Sequence, residues 1–176
     1  MANIGRLDDE ELGAWRSFLL MSQLMQQIVD RQLRRDSGMP HAYYTALVTL
    51  AQEGESGGVL LTDLADALNY SQSRMSQAVK KMQDSNWIVR RSDPLDRRAL
   101  RLTLSDEGRA ALARATARHL ALVKESLIDP LSREQLRQLT AIGDAVLPGL
   151  LQKAVAPGAL KALRHYVETG TGDASD

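Results

Sequence analysis

Basic side chains are concentrated in one part of the chain, residues 70–104. This segment has eight basic and three acidic residues and therefore a net charge of +5, although the formal net charge of all 176 residues is zero. A positive block of this kind is typical of a surface that meets the phosphates of a nucleic acid. The basic residues of the segment are Arg74, Lys80, Lys81, Arg90, Arg91, Arg97, Arg98 and Arg101.

The first half of this positive segment is predicted to be a helix over residues 72–85, with Ser71 as its N-cap. Met75, Val79 and Met82 are spaced at i, i+4 and i+7, which predicts a narrow buried stripe. On the opposite face, hydroxyl, amide and guanidinium groups could hydrogen-bond base edges, and ammonium groups could bind phosphates. We expect base contacts from Ser73, Arg74 and Gln77, weaker contacts from Gln72 and Ser76, and phosphate contacts from Lys80 and Lys81.

The segments on either side of this helix predict a winged helix-turn-helix. A short helix over 63–68, with Thr62 as its N-cap, precedes it after a tight turn at 69–70, which is the helix-turn-helix arrangement. Residues 88–91 and 100–104 predict two strands of a hairpin, because residues 100–104 alternate Leu with Arg or Thr. Arg90, Arg91 and Arg101 on these strands could add contacts to the DNA backbone.

Long helices are predicted around this central region. Residues 10–35 predict a helix that is apolar over most of its circumference, and in a chain of this size a second subunit is the expected cover. A helix over 43–53 and a loop over 53–58 follow. Ser105 caps a helix over 106–128, and Asp129-Pro130 breaks it. A capping box at Ser132 begins a last helix that runs to 153, with a disturbance expected at Pro148-Gly149.

The predicted fold class is mainly α: a winged helix-turn-helix with a two-stranded wing, plus N- and C-terminal helices that form a dimerisation region. The predicted division is an N-terminal dimerisation helix in 1–40, the DNA-binding domain in 41–105, C-terminal dimerisation helices in 106–167, and a flexible tail in 168–176.

Composition argues against several classes of protein. The chain has no cysteine, which excludes a disulfide framework, a thiolate metal site and a cysteine nucleophile. No run of apolar residues approaches the length of a membrane span, and the acidic first fifteen residues do not resemble a secretion signal, so a cytoplasmic protein is expected. The three histidines lack metal-ligand spacing and no glycine-rich phosphate loop is present. No catalytic residue, metal or cofactor is predicted, and the chain is not expected to be an enzyme.

Two stretches of the sequence resemble the MarR (multiple-antibiotic-resistance regulator) family of transcription factors. The more specific one is Asp96-Arg97-Arg98 followed by residues 100–108, which is similar to the family's wing pattern of Asp-x-Arg, an alternating strand and then a glycine in the next helix. Residues 64–68 and 71–76, with Met82 downstream, have the family's helix-turn-helix spacing. The resemblance covers residues 12 to about 153.

The resemblance has consequences for the wing and for assembly. It implies that Arg98 enters the minor groove, that Asp96 orients Arg98 by an ion pair, and that Arg97 binds phosphate or shares the groove. It also implies a homodimer with intertwined terminal helices on a pseudo-palindromic site. Asn86-Trp87 departs from the family's usual Gly-Leu, although Asn can supply the same backbone shape. The family's cysteine-based redox sensing cannot operate here.

Family members often bind small aromatic or phenolic acids in a cleft between the dimerisation helices and the winged domain. By this resemblance a small aromatic effector is a candidate partner, although Trp and Met at helical spacing are more often core residues. The candidate cleft residues are Trp15, Met21, Met25, His41, Tyr43, Tyr44 and His119.

Two functions from different classes remain open at this point. The first is a sequence-specific regulator, most simply a repressor, that binds double-stranded DNA as a homodimer. The alternative is a winged-helix protein interaction module whose basic face binds an acidic partner and has no specific DNA target.

Overall fold

The positive segment lies between two sets of long helices. The structure is a computed structural model that describes residues 7–53, 57–68, 70–93 and 99–154. The predicted tail at 168–176 lies outside these residues. Along the chain the elements are α1 (Asp9–Ser37), α2 (His41–Glu53), β1 (Val59–Leu60), α3 (Leu61–Ala67), α4 (Gln72–Asp84), β2 (Ile88–Ser92), β3 (Leu100–Leu104), α5 (Asp106–Val123) and α6 (Arg133–Ala154).

Local sequence signals account for both ends of α1. Asp8 and Glu11 form a reciprocal capping box, in which each carboxylate accepts a hydrogen bond from the other residue's backbone N–H. Acidic residues in the first turn and Arg34 and Arg35 in the last turn complement the helix dipole. Gly38 ends the helix in the left-handed conformation, with φ at 63°.

The predicted mainly helical winged fold is confirmed, with one strand more than the sequence indicated. The sheet has the order β1-β3-β2 and is antiparallel throughout. The wing is the predicted two-stranded hairpin, in which Ile88 pairs with Leu104 and Ser92 pairs with Leu100. The additional strand β1 pairs Val59 with Leu102, where the sequence had only shown the end of a loop.

Three further details differ from the sequence-based expectation. Thr62 is not the N-cap of α3: the helix begins at Leu61, and Leu60 occupies the cap without a side-chain hydrogen bond. The helix over 106–128 is not uniformly α, because Lys124–Ile128 forms a π-helical turn. The last helix continues through Pro148 to Ala154, although the sequence suggested a disturbance there.

The buried core lies in the winged domain and in the helices that contact it. Residues from α1, α2, α3, α4, β3 and the α1–α2 connection supply its largest fully buried side chains, which are Leu33, Met39, Leu47, Leu50, Leu64, Met75, Val79, Met82 and Leu102. Burial of this apolar surface is the main force that holds the α4 helix in place. By contrast, the N-terminal half of α1 and much of α6 keep large apolar side chains exposed.

A close backbone contact joins the end of α4 to the start of α5. Asn86 adopts the left-handed conformation predicted for it, with φ at 57°. The backbone N–H of Ser105 donates to the Trp87 carbonyl at 3.1 Å, and the Ser105 hydroxyl caps α5 by accepting from Gly108 N–H at 2.9 Å. A Cβ atom at Gly108 would lie 1.9 Å from the Trp87 carbonyl oxygen. The glycine of the wing pattern is therefore required by this contact.

We predict that Gly108→Ala destabilises the protein by about 3 kcal/mol or more, because the obstructing atom is backbone and cannot rotate away. Gly13→Ala is the control, since nothing lies within 4 Å of a Cβ there and alanine favours the helix. Urea unfolding followed by circular dichroism measures both. Equal stability of the two variants would contradict this account of the contact.

Candidate nucleic-acid interface

The exposed face of α4 is set by the way the helix is anchored. Met75, Ala78, Val79 and Met82 are all buried, so the predicted apolar stripe is present and includes one more residue. The Ser71 hydroxyl accepts the Arg74 backbone N–H at 3.3 Å, which confirms the predicted N-cap. Anchored at its start and along one side, the helix presents its other face to solvent.

The side chains predicted to contact DNA on α4 share that solvent face. All seven are exposed, and they are Gln72, Ser73, Arg74, Ser76, Gln77, Lys80 and Lys81. Amide, hydroxyl and guanidinium groups occupy the first half of the helix, and the two ammonium groups follow one turn later. Such a face can hydrogen-bond base edges at one end and bind phosphates at the other.

The base of the wing is stabilised by a pair of charged residues. The Arg101 guanidinium forms an ion pair with Asp93, whose side chain is 5% exposed, and it donates to the Gly58 carbonyl at 2.7 Å. Asp93 N–H also donates to the Ala99 carbonyl at 3.0 Å, which closes the end of the hairpin. The sequence suggested that Arg101 contacts the DNA backbone, but in the structure its guanidinium binds groups within the domain.

Two other arginines of the wing, Arg90 and Arg91, are exposed on β2. Their side chains are therefore accessible for the predicted contacts with the DNA backbone. The wing-tip residues Asp96, Arg97 and Arg98 lie outside the described residues. Their roles therefore stay predictions.

Three of the candidate cleft residues form a cluster where α1, α2 and α5 meet. The ring centroids of Tyr44 and His119 are 4.8 Å apart, and those of His41 and His119 are 6.3 Å apart. The Tyr44 hydroxyl lies 3.3 Å from that of Thr116, and Asp30 accepts the backbone N–H of His41 at 2.9 Å. The buried Nδ1 atom of His119 has no hydrogen-bond partner among the described residues.

The other candidate cleft residues are not part of this cluster. Tyr43 instead borders a depression of about 390 Å³ between the α1–α2 junction and α4, together with Arg34, Tyr70 and Arg74. Met25 packs partly buried against the core. Trp15 and Met21 are 50% and 55% exposed in the N-terminal half of α1. Trp15 lies about 22 Å along the helix from Asp30, at 1.5 Å per residue.

Burial governs the titration of the two histidines in the cluster. It lowers the pKa of His41 from the ordinary value, against an opposing effect of Asp30. The pKa of His119 is lowered mainly by burial and further by the nearby His41. On α1, a hydrogen bond from Arg35 and another from Gln32 lower the pKa of Asp36 to about 2. At neutral pH the two imidazoles are therefore uncharged, and the carboxyl groups of Asp30 and Asp36 are ionised.

Two contacts at this interface were not predicted from the sequence. They are the contact of Arg74 with the ring of Tyr70 and the pairing of Asp93 with Arg101. The four-residue spacing of Tyr70 and Arg74 was a usable signal, since it brings side chains together at a helix start. Prediction of the Asp93–Arg101 pair would have required the register of the hairpin, because the two residues are eight positions apart in sequence.

No group of three or more His, Asp or Glu side chains that could hold a metal ion occurs in residues 7–53, 57–68, 70–93 and 99–154. Over the same part of the chain, no helix is both long and apolar enough to cross a membrane.

Known proteins resemble both the winged domain and the longer helical architecture. The family model described as MarR family matches residues 37–99. One of these proteins is Sco3205 of Streptomyces coelicolor, a MarR family transcriptional regulator that was solved in complex with DNA. It is 35% identical to this chain, with a TM-score of 0.76, and the match covers 86% of this chain and 94% of Sco3205. AbsC, a MarR family regulator from the same organism, is 29% identical with a TM-score of 0.75, over 83% of this chain and 97% of AbsC.

A third relative matches over a shorter stretch. The HTH-type transcriptional regulator PecS of Dickeya dadantii is 24% identical over 99 residues, which is 56% of this chain. The match spans 59% of PecS, less than two thirds of that protein.

We predict that stability decreases as the pH is lowered through about 6.5, the ordinary value for histidine. Because the pKa values of His41 and His119 are lowered in the folded state, the unfolded chain binds more protons in this range and stability rises with pH. Urea midpoints at pH 7.5, 6.5 and 5.5 measure the effect. His119→Leu should reduce the pH dependence, whereas Tyr44→Phe, which keeps both imidazoles, should not. An unchanged slope in His119→Leu would contradict the assignment.

Proposed function

The chain belongs to the MarR family of transcriptional regulators, and from that membership we propose that it is a repressor that binds a pseudo-palindromic operator as a homodimer. The observation that carries the proposal is the exposed face of α4, where seven polar or basic side chains are held on a well-packed helix beside a basic hairpin. A regulator of this kind would act in the compartment that holds the chromosome.

Each part of the basic surface would have a distinct task on DNA. Arg74 suits a bidentate contact with guanine and Gln77 one with adenine, each worth about 1–3 kcal/mol of discrimination. Ser73 would add a further base contact. Lys80 and Lys81 would bind phosphates, which contributes affinity but no sequence preference.

By family resemblance, Arg98 would enter the minor groove beside the major-groove site of α4. Asp96 would orient Arg98, and Arg97 would bind phosphate or share the groove. Sco3205, which is 35% identical to this chain, was solved in complex with DNA, and this supports DNA binding by the winged domain.

Exposed apolar side chains support the homodimer. On α1, Trp15, Phe18, Leu20, Met21 and Leu24 are each at least 50% exposed. Along α6, Leu139, Ile142, Val146, Leu147 and Leu150 are also exposed. A patch of this extent on a single chain indicates a surface that is covered in the assembly. A two-fold dimer would place its two α4 helices about 10 bp apart on one side of the duplex.

A small aromatic effector would release the DNA by favouring another dimer geometry. The cluster of His41, Tyr44 and His119 supports an aromatic ligand. It offers ring faces and the buried Nδ1 of His119, which has no hydrogen-bond partner within the described part of the chain. Its position between α1, α2 and α5 would couple occupancy to the angle between the winged domain and the dimerisation helices.

The DNA-binding proposal is tested by selection from a random pool of duplexes, with the affinity for the selected site then measured against salt. We expect an inverted repeat and a steep fall of affinity with salt, of about 0.9 in log–log slope per phosphate contacted. Arg98→Ala should weaken binding to the selected site about tenfold or more. Lys153→Ala, far along α6, is the control and should change it less than about twofold.

Other outcomes would favour different conclusions. Equal losses in the two variants would contradict the minor-groove role of Arg98. Absence of binding even at low salt would favour the protein interaction module.

The homodimer is tested by light scattering at micromolar concentration, where we expect twice the mass of one chain. Phe18→Asp places a charge in the exposed apolar face of α1 and should shift the protein to monomer, because burying an unpaired charge is costly. Gln52→Glu is the control, since it adds a charge at an exposed polar position of α2. A wild-type monomer would contradict the proposal.

A further inference from the structure

We propose that Tyr70 is a positioning residue for base recognition, whose ring holds the Arg74 guanidinium in the orientation that meets the operator. The inference rests on the proposed function and deepens it, since it assigns part of the sequence preference to a residue that need not touch DNA. The observation that carries it is the contact between the two side chains, in which Arg74 Cζ lies 4.1 Å from the centroid of the Tyr70 ring.

Tyr70 is itself firmly placed. It lies in the turn between α3 and α4, and its backbone N–H donates to the Ala65 carbonyl at 2.8 Å. Its half-buried side chain packs against the hydrophobic core. The ring is therefore a fixed surface, whereas an arginine on an exposed helix face is ordinarily free to move among many rotamers.

The neighbouring residue holds the backbone of the same arginine. Ser71 accepts the Arg74 N–H at 3.3 Å as the N-cap of α4. Two consecutive residues of the turn thus constrain Arg74, Ser71 through the main chain and Tyr70 through the side chain. This is the arrangement expected where the direction of a side chain matters, since a cation within about 6 Å of a ring centroid is attracted to the ring face.

The contact leaves the guanidinium available for DNA. Because the ring face is not a conventional acceptor, it does not replace the N–H donors that a bidentate contact with guanine uses. Among the described residues, no carboxylate forms an ion pair with Arg74. An arginine that is already ordered before binding loses less conformational entropy when it contacts a base. The affinity for the duplex with the correct base pair therefore rises.

The test uses the full chain and duplexes in which each base pair of the selected half-site is replaced in turn. In the wild type, the base pair read by Arg74 should show a penalty of about tenfold or more, and Arg74→Ala should abolish that penalty alone. Tyr70→Leu should reduce the same penalty several-fold and leave the others unchanged. In the double variant, Tyr70→Leu should have no further effect on discrimination beyond Arg74→Ala.

A purely structural role of Tyr70 would give a different result. It would weaken binding to every duplex alike and would add to the effect of Arg74→Ala. Either observation would overturn the inference, although the selected operator and the proposed function would stand. If the wild type selects no operator, the proposed function and the inference fail together.

A second series keeps the size of the ring and so protects the test against misfolding. Tyr70→Phe should preserve discrimination, because the ring face remains. Replacing Tyr70 with phenylalanines that carry increasing numbers of fluorine atoms weakens the negative ring face, so discrimination at the Arg74 base pair should fall in step. Discrimination that does not change with fluorination would overturn the cation–π basis of the inference.

Discussion

The close approach of α5 to the backbone of Trp87 is the constraint on which the rest of the structure depends. At this point the end of α4, the first strand of the wing and the start of α5 share one set of hydrogen bonds. Only a glycine at position 108 leaves room for it. Because α5 leads towards α6 and packs against α1, the two helices with exposed apolar side chains, this junction connects those helices to α4.

Much of the fold could be predicted from the sequence because the signals for its elements are local. The buried stripe of α4, its cap at Ser71 and the alternation in β3 are all local patterns, and each is present. The elements that were missed depend on distant partners. The strand β1 has two residues and exists because β3 offers an edge to pair with. Thr62 is a good N-cap by type, but pairing of Val59 and Leu60 with β3 makes the helix begin earlier.

The placement of the candidate site residues was predictable to a similar degree, and the part that was missed also depends on residues distant in sequence. The exposure of the α4 side chains follows from helical periodicity. Net charge alone, however, could not distinguish a basic residue that faces solvent from one that stabilises the domain. Arg101 was counted with the others in the positive segment, yet its guanidinium is held between Asp93 and the Gly58 carbonyl. The register of the hairpin, which brings Asp93 and Arg101 together, is a tertiary property.

A division of tasks follows from the placement of charged and uncharged groups. The outer face of α4 carries charges in water, where they attract phosphates over a distance set by salt. The junction of α1, α2 and α5 holds two imidazoles whose pKa values burial lowers, so both imidazoles are uncharged at neutral pH. An aromatic cluster with uncharged imidazoles could accept a ring without competing for the phosphates that α4 is proposed to bind. Ligand binding and DNA binding would then influence each other through the packing of α5, and not through direct competition for the same cations.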